Sequence, residues 1–382
     1  MSDCRDETSR LYLLGAVFPI CAGLALYGWR ALGVLLLTTG AAVITLAFWR
    51  GVGPAGAGLK PARVIWLSLL GAMALPAHLL SLGHVGGVGH PWALAAAMGI
   101  LIVILCWLRL TLNLQWAHPF LPAILLAALL FQDIMRPRMI LHRRAVFVGN
   151  LLDVSPAPPA HQPASADDSW IARNDRSSND ALWVRTDAAT RLSQFTRGRL
   201  EPGQTRLALE EVLRDAVPPL EDLLVGGHPA PIGSSSVIAV LVGGLFLLYR
   251  NAINHRIPLM TVVFAYLGLL VFPIPVLVTD SDVQWRSLAL PHANLDWGTI
   301  ITFANYEMAA SPLMLVAFFV ATEPGVAPRA NRGQVFYGML IGVLSAAAQL
   351  YVSVSYGPYL AACVATLLVP WLDDRDEYPA LT

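Results

Sequence analysis

Charge is what this chain has least of. Of its 382 residues, 13% are Asp, Glu, Lys or Arg and 56% are hydrophobic, where soluble domains carry about a quarter charged. The 25 basic and 25 acidic residues cancel, so no bulk field favours nucleic acid, and the scattered basic residues form no nucleic-acid motif. Cysteine is also scarce. Cys4, Cys21, Cys106 and Cys363 contain no CxxC pair, which argues against a zinc ribbon, a self-contained iron–sulfur site and a disulfide framework. There is no GxxxxGK[ST] phosphate loop and no nicotinamide fingerprint. His78, His84 and His90 cluster locally, but no two histidines are placed to face each other across helices as haem ligands would. A mean hydropathy of +0.60 fits a polytopic membrane protein.

The one long polar run lies in the middle. It spans residues 134–233 and holds the Pro-rich SPAPPAHQPASADD and the mixed-charge ARNDRSSND. The chain therefore reads as a membrane unit over 1–133, a water-exposed insert over 134–233 and a second membrane unit over 234–382. A spanning helix needs about 20 mostly apolar residues. On that measure the first unit offers 11–28, 31–49, 62–82, 91–108 and 120–131. The second offers 235–249, 257–279, 298–321, 334–356 and 357–371. The predicted fold class is all-α and integral to the membrane, with about ten transmembrane helices.

The two halves echo each other: AGLALYGWRALGVLLLTTGAA is similar to GGLFLLYRNAINHRIPLMTVV, and WAHPFLPAILLAALL to VSYGPYLAACVATLLVP. Two five-helix repeats run in opposite senses, so the expectation is an inverted repeat with sites near the midplane. Pro76 and Pro312 interrupt matching spans. Short loops rich in Arg and Lys belong inside, which puts both termini in the cytoplasm of a bacterial inner membrane and the insert in the periplasm. Arg136, Arg138, Arg143 and Arg144 oppose that bias, although long loops cross largely regardless of charge. MSDCRDETSR carries both signs and no small-residue cleavage site follows it, so the first span is expected to be retained.

Glu307 is an acid well inside an apolar span, and intramembrane ionisable residues are functional candidates. It either lines an ion, proton or quinone path or sits wetted near the outer end of its span. Asn113 is a second polar candidate for that path, or interhelical glue.

The later part of the chain carries a resemblance. Ala317-Phe318-Phe319, Ala321-Thr322, Pro324 and Arg332-Gly333, followed by YGPYLAACVATLLVPWLDD, resemble the membrane flavoprotein family of RnfD and NqrB. These are the D subunit of the Rnf electron-transport complex and the B subunit of the sodium-pumping NADH:quinone oxidoreductase. Glu323 stands where that pattern usually has Asp. Ile232-Gly233-Ser234-Ser235-Ser236 resembles the family's IGETS run, with Ser234 in place of Glu. The stretch ending His118-Pro119-Phe120-Leu121-Pro122 resembles one ending NPFNP.

The resemblance implies flavin mononucleotide esterified through its phosphate to a threonine of an S-G-A-T motif in the insert. Thr190, in Asp187-Ala188-Ala189-Thr190, stands at that place, with Asp187 and Ala189 beside it; read alone, without the resemblance, it is an ordinary loop threonine. Trp183 and Phe195 are candidate ring neighbours, and Arg185, Arg191 and Arg197 candidate phosphate partners or a solvated basic strip. The resemblance further implies a subunit of an ion-translocating redox complex, inactive alone. Its partners would be sister subunits, a flavin transferase and membrane lipid, but no nucleic acid, and a second flavin is a further expectation. A flavin-free transporter or channel, or a scaffold subunit, stays open on the same fold.

Overall fold

Inside a bilayer a chain must satisfy its own backbone polar groups, and an uninterrupted apolar run does so as a helix. The computed structural model describes residues 2–52, 58–80, 90–114, 117–137, 139–141, 171–173, 183–185, 188–197, 209–279, 282–288 and 296–372. The first half holds α1 (Ser2–Tyr27), α2 (Trp29–Val52), α3 (Pro61–Met73), α4 (Trp92–Thr111) and α5 (Phe120–Leu130). The middle contributes α6 (Ala188–Arg197) and α7 (Leu220–Val225). The second half holds α8 (Val237–Tyr249), α9 (Arg256–Val271), α10 (Trp297–Ala310), α11 (Asn331–Tyr351) and α12 (Gly357–Leu367).

Each of the ten apolar segments expected from sequence contains a helix. Among the described residues, Thr8–Tyr27, Trp29–Gly51, Trp92–Thr111 and Asn331–Tyr351 are long and apolar enough to cross a membrane. Trp297–Ala310 with Leu313–Val320, bent by 62°, makes a fifth if counted as one span. The other five are shorter. The 13 residues of α3 reach only about 20 Å, against a hydrocarbon core of about 30 Å. Leu36, Ile44, Leu129, Leu245 and Leu267 are exposed on the outside of the bundle. Such a belt of large apolar side chains suits lipid rather than water.

Two expectations need correcting. The helix expected over 257–279 stops at Val271, and β4 (Pro273–Thr279) pairs antiparallel with β5 (Asp282–Ser287). Pro273 and Pro275 lack the amide hydrogen a continuing helix needs, and the β-branched Ile274 and Val276 suit a strand. The all-α expectation also fails in the insert. There β1 (Met139–Leu141), β2 (Ile171–Arg173) and β3 (Trp183–Arg185) form a small antiparallel sheet with β3 in the centre.

Both interrupting prolines mark breaks. The helix α3 ends at Met73, and after Pro76 the chain resumes as a 3-10 turn, Ala77–Leu80. The helix α10 ends at Ala310, and after Ser311 and Pro312 it resumes as the turn Leu313–Leu315 and a π-helical stretch, Val316–Val320. A third irregular segment, the 3-10 turn Ile232–Ser234, joins them. Ile232 donates its N–H to the Leu75 carbonyl at 3.1 Å, Pro231 bridges Pro76, and Leu313–Leu315 packs on the same turn. Ser236 then caps α8, its hydroxyl accepting from the Ala239 amide at 3.3 Å.

Close helix contacts are made where residues are small. On α11, Gly338, Gly342 and Ala346 form one stripe against α9. A Cβ on Gly342 would lie 2.6 Å from the Thr261 carbonyl oxygen, and one on Gly338 2.8 Å from that of Ile257. Lipid tails give no hydrophobic reason for two helices to associate, so this backbone approach carries the pairing. Gly342→Ile should destabilise the fold by about 2 kcal/mol through overpacking, read as a lower Tm in detergent. An unchanged Tm would show that α9 and α11 are not held by this stripe.

Candidate functional site

Three places carry polar chemistry. The first is Thr190. It lies in the first turn of α6, half-buried, after the buried Ala188 and Ala189. Its carbonyl accepts from the Ser193 hydroxyl at 2.9 Å. The helix α6 packs on α10 and α11, and Ala188, Ala189, Leu192 and Phe195 join one apolar cluster with Phe303, Ala304 and Leu350. This part of the insert is therefore docked on the second membrane half. The helix starts on two small residues, Ala188 and Ala189, and the amide-rich end of a helix favours a phosphate. The local structure fits a phosphoester there. Arg191 follows directly. Asp187 lies outside the described residues, and nothing is described of the Arg185 or Arg197 side chains.

The second is the broken span. Glu307 is fully buried in α10, one turn before the break, and neither carboxyl oxygen has a hydrogen-bond partner among the described residues. That places it in the interior and not at a wetted helix end. Asn113 sits elsewhere. It is exposed, with φ 53°, in the left-handed conformation that closes α4, where Leu114 donates back to the Arg109 carbonyl at 3.0 Å. The structure does not join Asn113 to Glu307.

The third place was not singled out as a site from sequence. The run Glu323-Pro324-Gly325-Val326 forms a tight turn in which Val326 donates to the Glu323 carbonyl at 3.1 Å and Gly325 has φ +91°. Pro second and glycine third, with positive φ at the glycine, is the chemistry of a type II turn. The turn presents Glu323 to the bundle. Arg63, near the start of α3, donates from Nε at 3.1 Å and from Nη2 at 2.8 Å to Glu323 Oε1. His118 Nε2 lies 3.5 Å from the other oxygen. Arg109, in the last turn of α4, donates to the Gly325 carbonyl at 3.0 Å. The Tyr12 hydroxyl on α1 donates to the Thr322 carbonyl, and the Thr322 hydroxyl donates to the Phe318 carbonyl at 2.6 Å. A cavity of about 170 Å³ opens beside the turn, lined by Tyr12, Lys60, Arg63, Trp66, Arg109 and Glu323 among others.

Burial alone would push the Glu323 carboxyl up, but the opposing charge around it, that of the Arg63 guanidinium first, holds the group below the usual carboxylate range. Burial pushes His118 down to about 4, against the pull of Glu323. Glu323 is thus ionised and His118 neutral at pH 7, and the pair that balances charge is Arg63 with Glu323. The sequence signals were present: an Arg inside an apolar run at 109, and an acid inside the AFF-to-Pro stretch.

The apolar belt and the broken span define an integral membrane protein, and its interior holds buried ionisable groups. The chain matches the profile of the NQR2, RnfD, RnfE family over residues 4–377, and it belongs to that family. It is 26% identical over 362 residues to the D subunit of the ion-translocating oxidoreductase complex of Halorhodospira halophila, covering 94% of this chain and 85% of that one. It is 31% identical over 140 residues to the D subunit of the same name from Erwinia tasmaniensis, covering 36% of this chain and 33% of that one. That second match spans only a third of the relative's length. It is also 27% identical over 201 residues to the B subunit of the Na(+)-translocating NADH-quinone reductase of Haemophilus influenzae, covering 51% of this chain and 43% of that one.

Proposed function

We propose that this chain is a D-type subunit of an Rnf-like, ion-translocating membrane redox complex, and that it carries electrons through FMN esterified to Thr190. Similarity to a D subunit over nearly the whole chain supports the complex. The observation that carries the flavin reading is the position of Thr190, on a small-residue helix start docked against α10 and α11. When bound, the flavin supplies the redox chemistry. The chain's part is to offer the hydroxyl, to favour the phosphate at the helix end and to hold the group against the membrane unit. Ten crossings as two inverted repeats, with cytoplasmic termini and a periplasmic insert, form part of the same reading. So do sister subunits, a flavin transferase and a second, non-covalent flavin.

The test is ultraviolet fluorescence of the denatured band after co-expression with a flavin transferase. Wild type should fluoresce, Thr190→Ala should be dark and Thr190→Ser should recover signal. A dark wild-type band, with the transferase active on a control substrate, would remove Thr190 as the site and favour a flavin-free transporter or scaffold.

A further inference from the structure

Glu307 has a chemistry that the redox reading leaves unassigned. It is wholly buried, both its oxygens lack partners among the described residues, and it lies one turn before the break at Ser311 and Pro312. Resting on the proposed function, we infer that Glu307 is a proton-binding carboxyl and that the ion it takes is H⁺ and not a metal cation.

The surroundings decide between the two ions. A hard metal cation needs several oxygen ligands around it; among the described residues no group of three or more His, Cys, Asp or Glu side chains lies here, so beyond Glu307 itself only backbone and hydroxyl oxygens at the break could supply them. Among the described side chains, the ionisable ones on the elements that pack most closely against α10 are Glu221 and Asp222 on α7, Arg191 on α6, and Arg256 and Tyr266 on α9, with Tyr306 on α10 itself. Glu210 meets α10 at Thr299, two turns away from Glu307. None of them reaches the carboxyl. A lone carboxylate in such a place has lost its hydration with nothing in exchange, whereas the acid form leaves only a neutral hydroxyl unpaired. The acid form is therefore the resting occupant.

The break lies one turn from the carboxyl, and on this inference the proton enters and leaves there. Where a membrane helix unwinds, its backbone groups are tolerated because they line a cavity or find other partners. Here the Ser311 hydroxyl donates to the Met308 carbonyl at 3.3 Å and accepts from the Leu313 amide at 3.4 Å. The Leu313–Leu315 turn also touches the irregular Ile232–Ser234 segment. The step itself is the dissociation of one O–H into carboxylate and proton, with no change in electron count.

The test uses the full-length chain in membrane vesicles and dicyclohexylcarbodiimide. The carboxylic acid adds its O–H across one C=N bond of the reagent, and the acylisourea formed rearranges to a stable N-acylurea. A mass-shifted Glu307 peptide is expected in wild type and not in Glu307→Gln. Its yield should fall at least tenfold from mildly acidic to alkaline pH and stay the same when sodium replaces choline. Protection by sodium, or labelling indifferent to pH, would overturn the inference. Infrared spectra of wild type minus Glu307→Gln cover the case in which the reagent cannot enter. They must show the carbonyl band of a protonated carboxyl, and its absence also overturns the inference. Labelling should persist in Thr190→Ala, so failure here and failure of the flavin reading are separate results.

Discussion

Glu323→Gln should destabilise the protein by about 3 kcal/mol, enough to lower the Tm in detergent by several degrees. The carboxylate is 2% exposed and takes both Arg63 donors on one oxygen. Its removal leaves Arg63, Arg109 and Lys60 lining the cavity with no acid among the lining residues. Breaking a buried pair by deleting one partner costs about 3–5 kcal/mol, because the other charge is stranded. The Arg63 side chain is 32% exposed and recovers some hydration, which places the loss at the low end of that range. Arg63→Gln in the Glu323→Gln background should recover part of it, since the doubly neutral protein buries no uncompensated charge. A Glu323→Gln variant as stable as wild type would show that the turn is held by Tyr12 and Arg109 without the ion pair. Glu323→Asp keeps the charge but is shorter by one methylene, so it should fall between the two.

Much of the bundle was legible because apolar length is a one-dimensional signal. Each of the ten segments read from hydropathy contains a helix, and Pro76 and Pro312 fall at real breaks. The strand at Pro273–Thr279 was hidden for the same reason: hydropathy is blind to whether an apolar run is helical, and Pro273 and Pro275 were the signal to weigh. The site was harder. His118 and Glu323 stand out in sequence only as two separate departures from the family pattern, an Asn and an Asp replaced. In space they face each other at 3.5 Å. No spacing rule relates two residues so far apart in the chain, and Arg63 and Arg109 come together only through the turn at Glu323. Glu307 was visible because a lone acid in an apolar span is conspicuous, but only the packing shows that it is dry.

The acid sensitivity of the fold should trace to histidine. Burial lowers His118 to about 4, and it lowers His228, whose Nδ1 lies 3.2 Å from the Asp222 carbonyl, to about 4 as well. In the unfolded chain each would take up its proton near pH 6.5. Between those values the unfolded state binds more protons than the folded one. The stability contributed by each neutral imidazole is therefore full above about pH 6.5 and is lost as pH falls toward 4. At pH 5 the loss comes to about 2 kcal/mol per histidine. Glu323, held low by its arginines, adds a further loss only below the usual carboxylate range. Thermal unfolding at pH 7.5 and pH 5 should then show a large drop for wild type and about half that drop for His118→Gln. If His118→Gln drops as far as wild type, His118 carries its proton in the fold and pairs with Glu323. Arg63 would then share the carboxylate with a second cation, and Glu323→Gln would strand two charges where the neutral-His118 arrangement strands one.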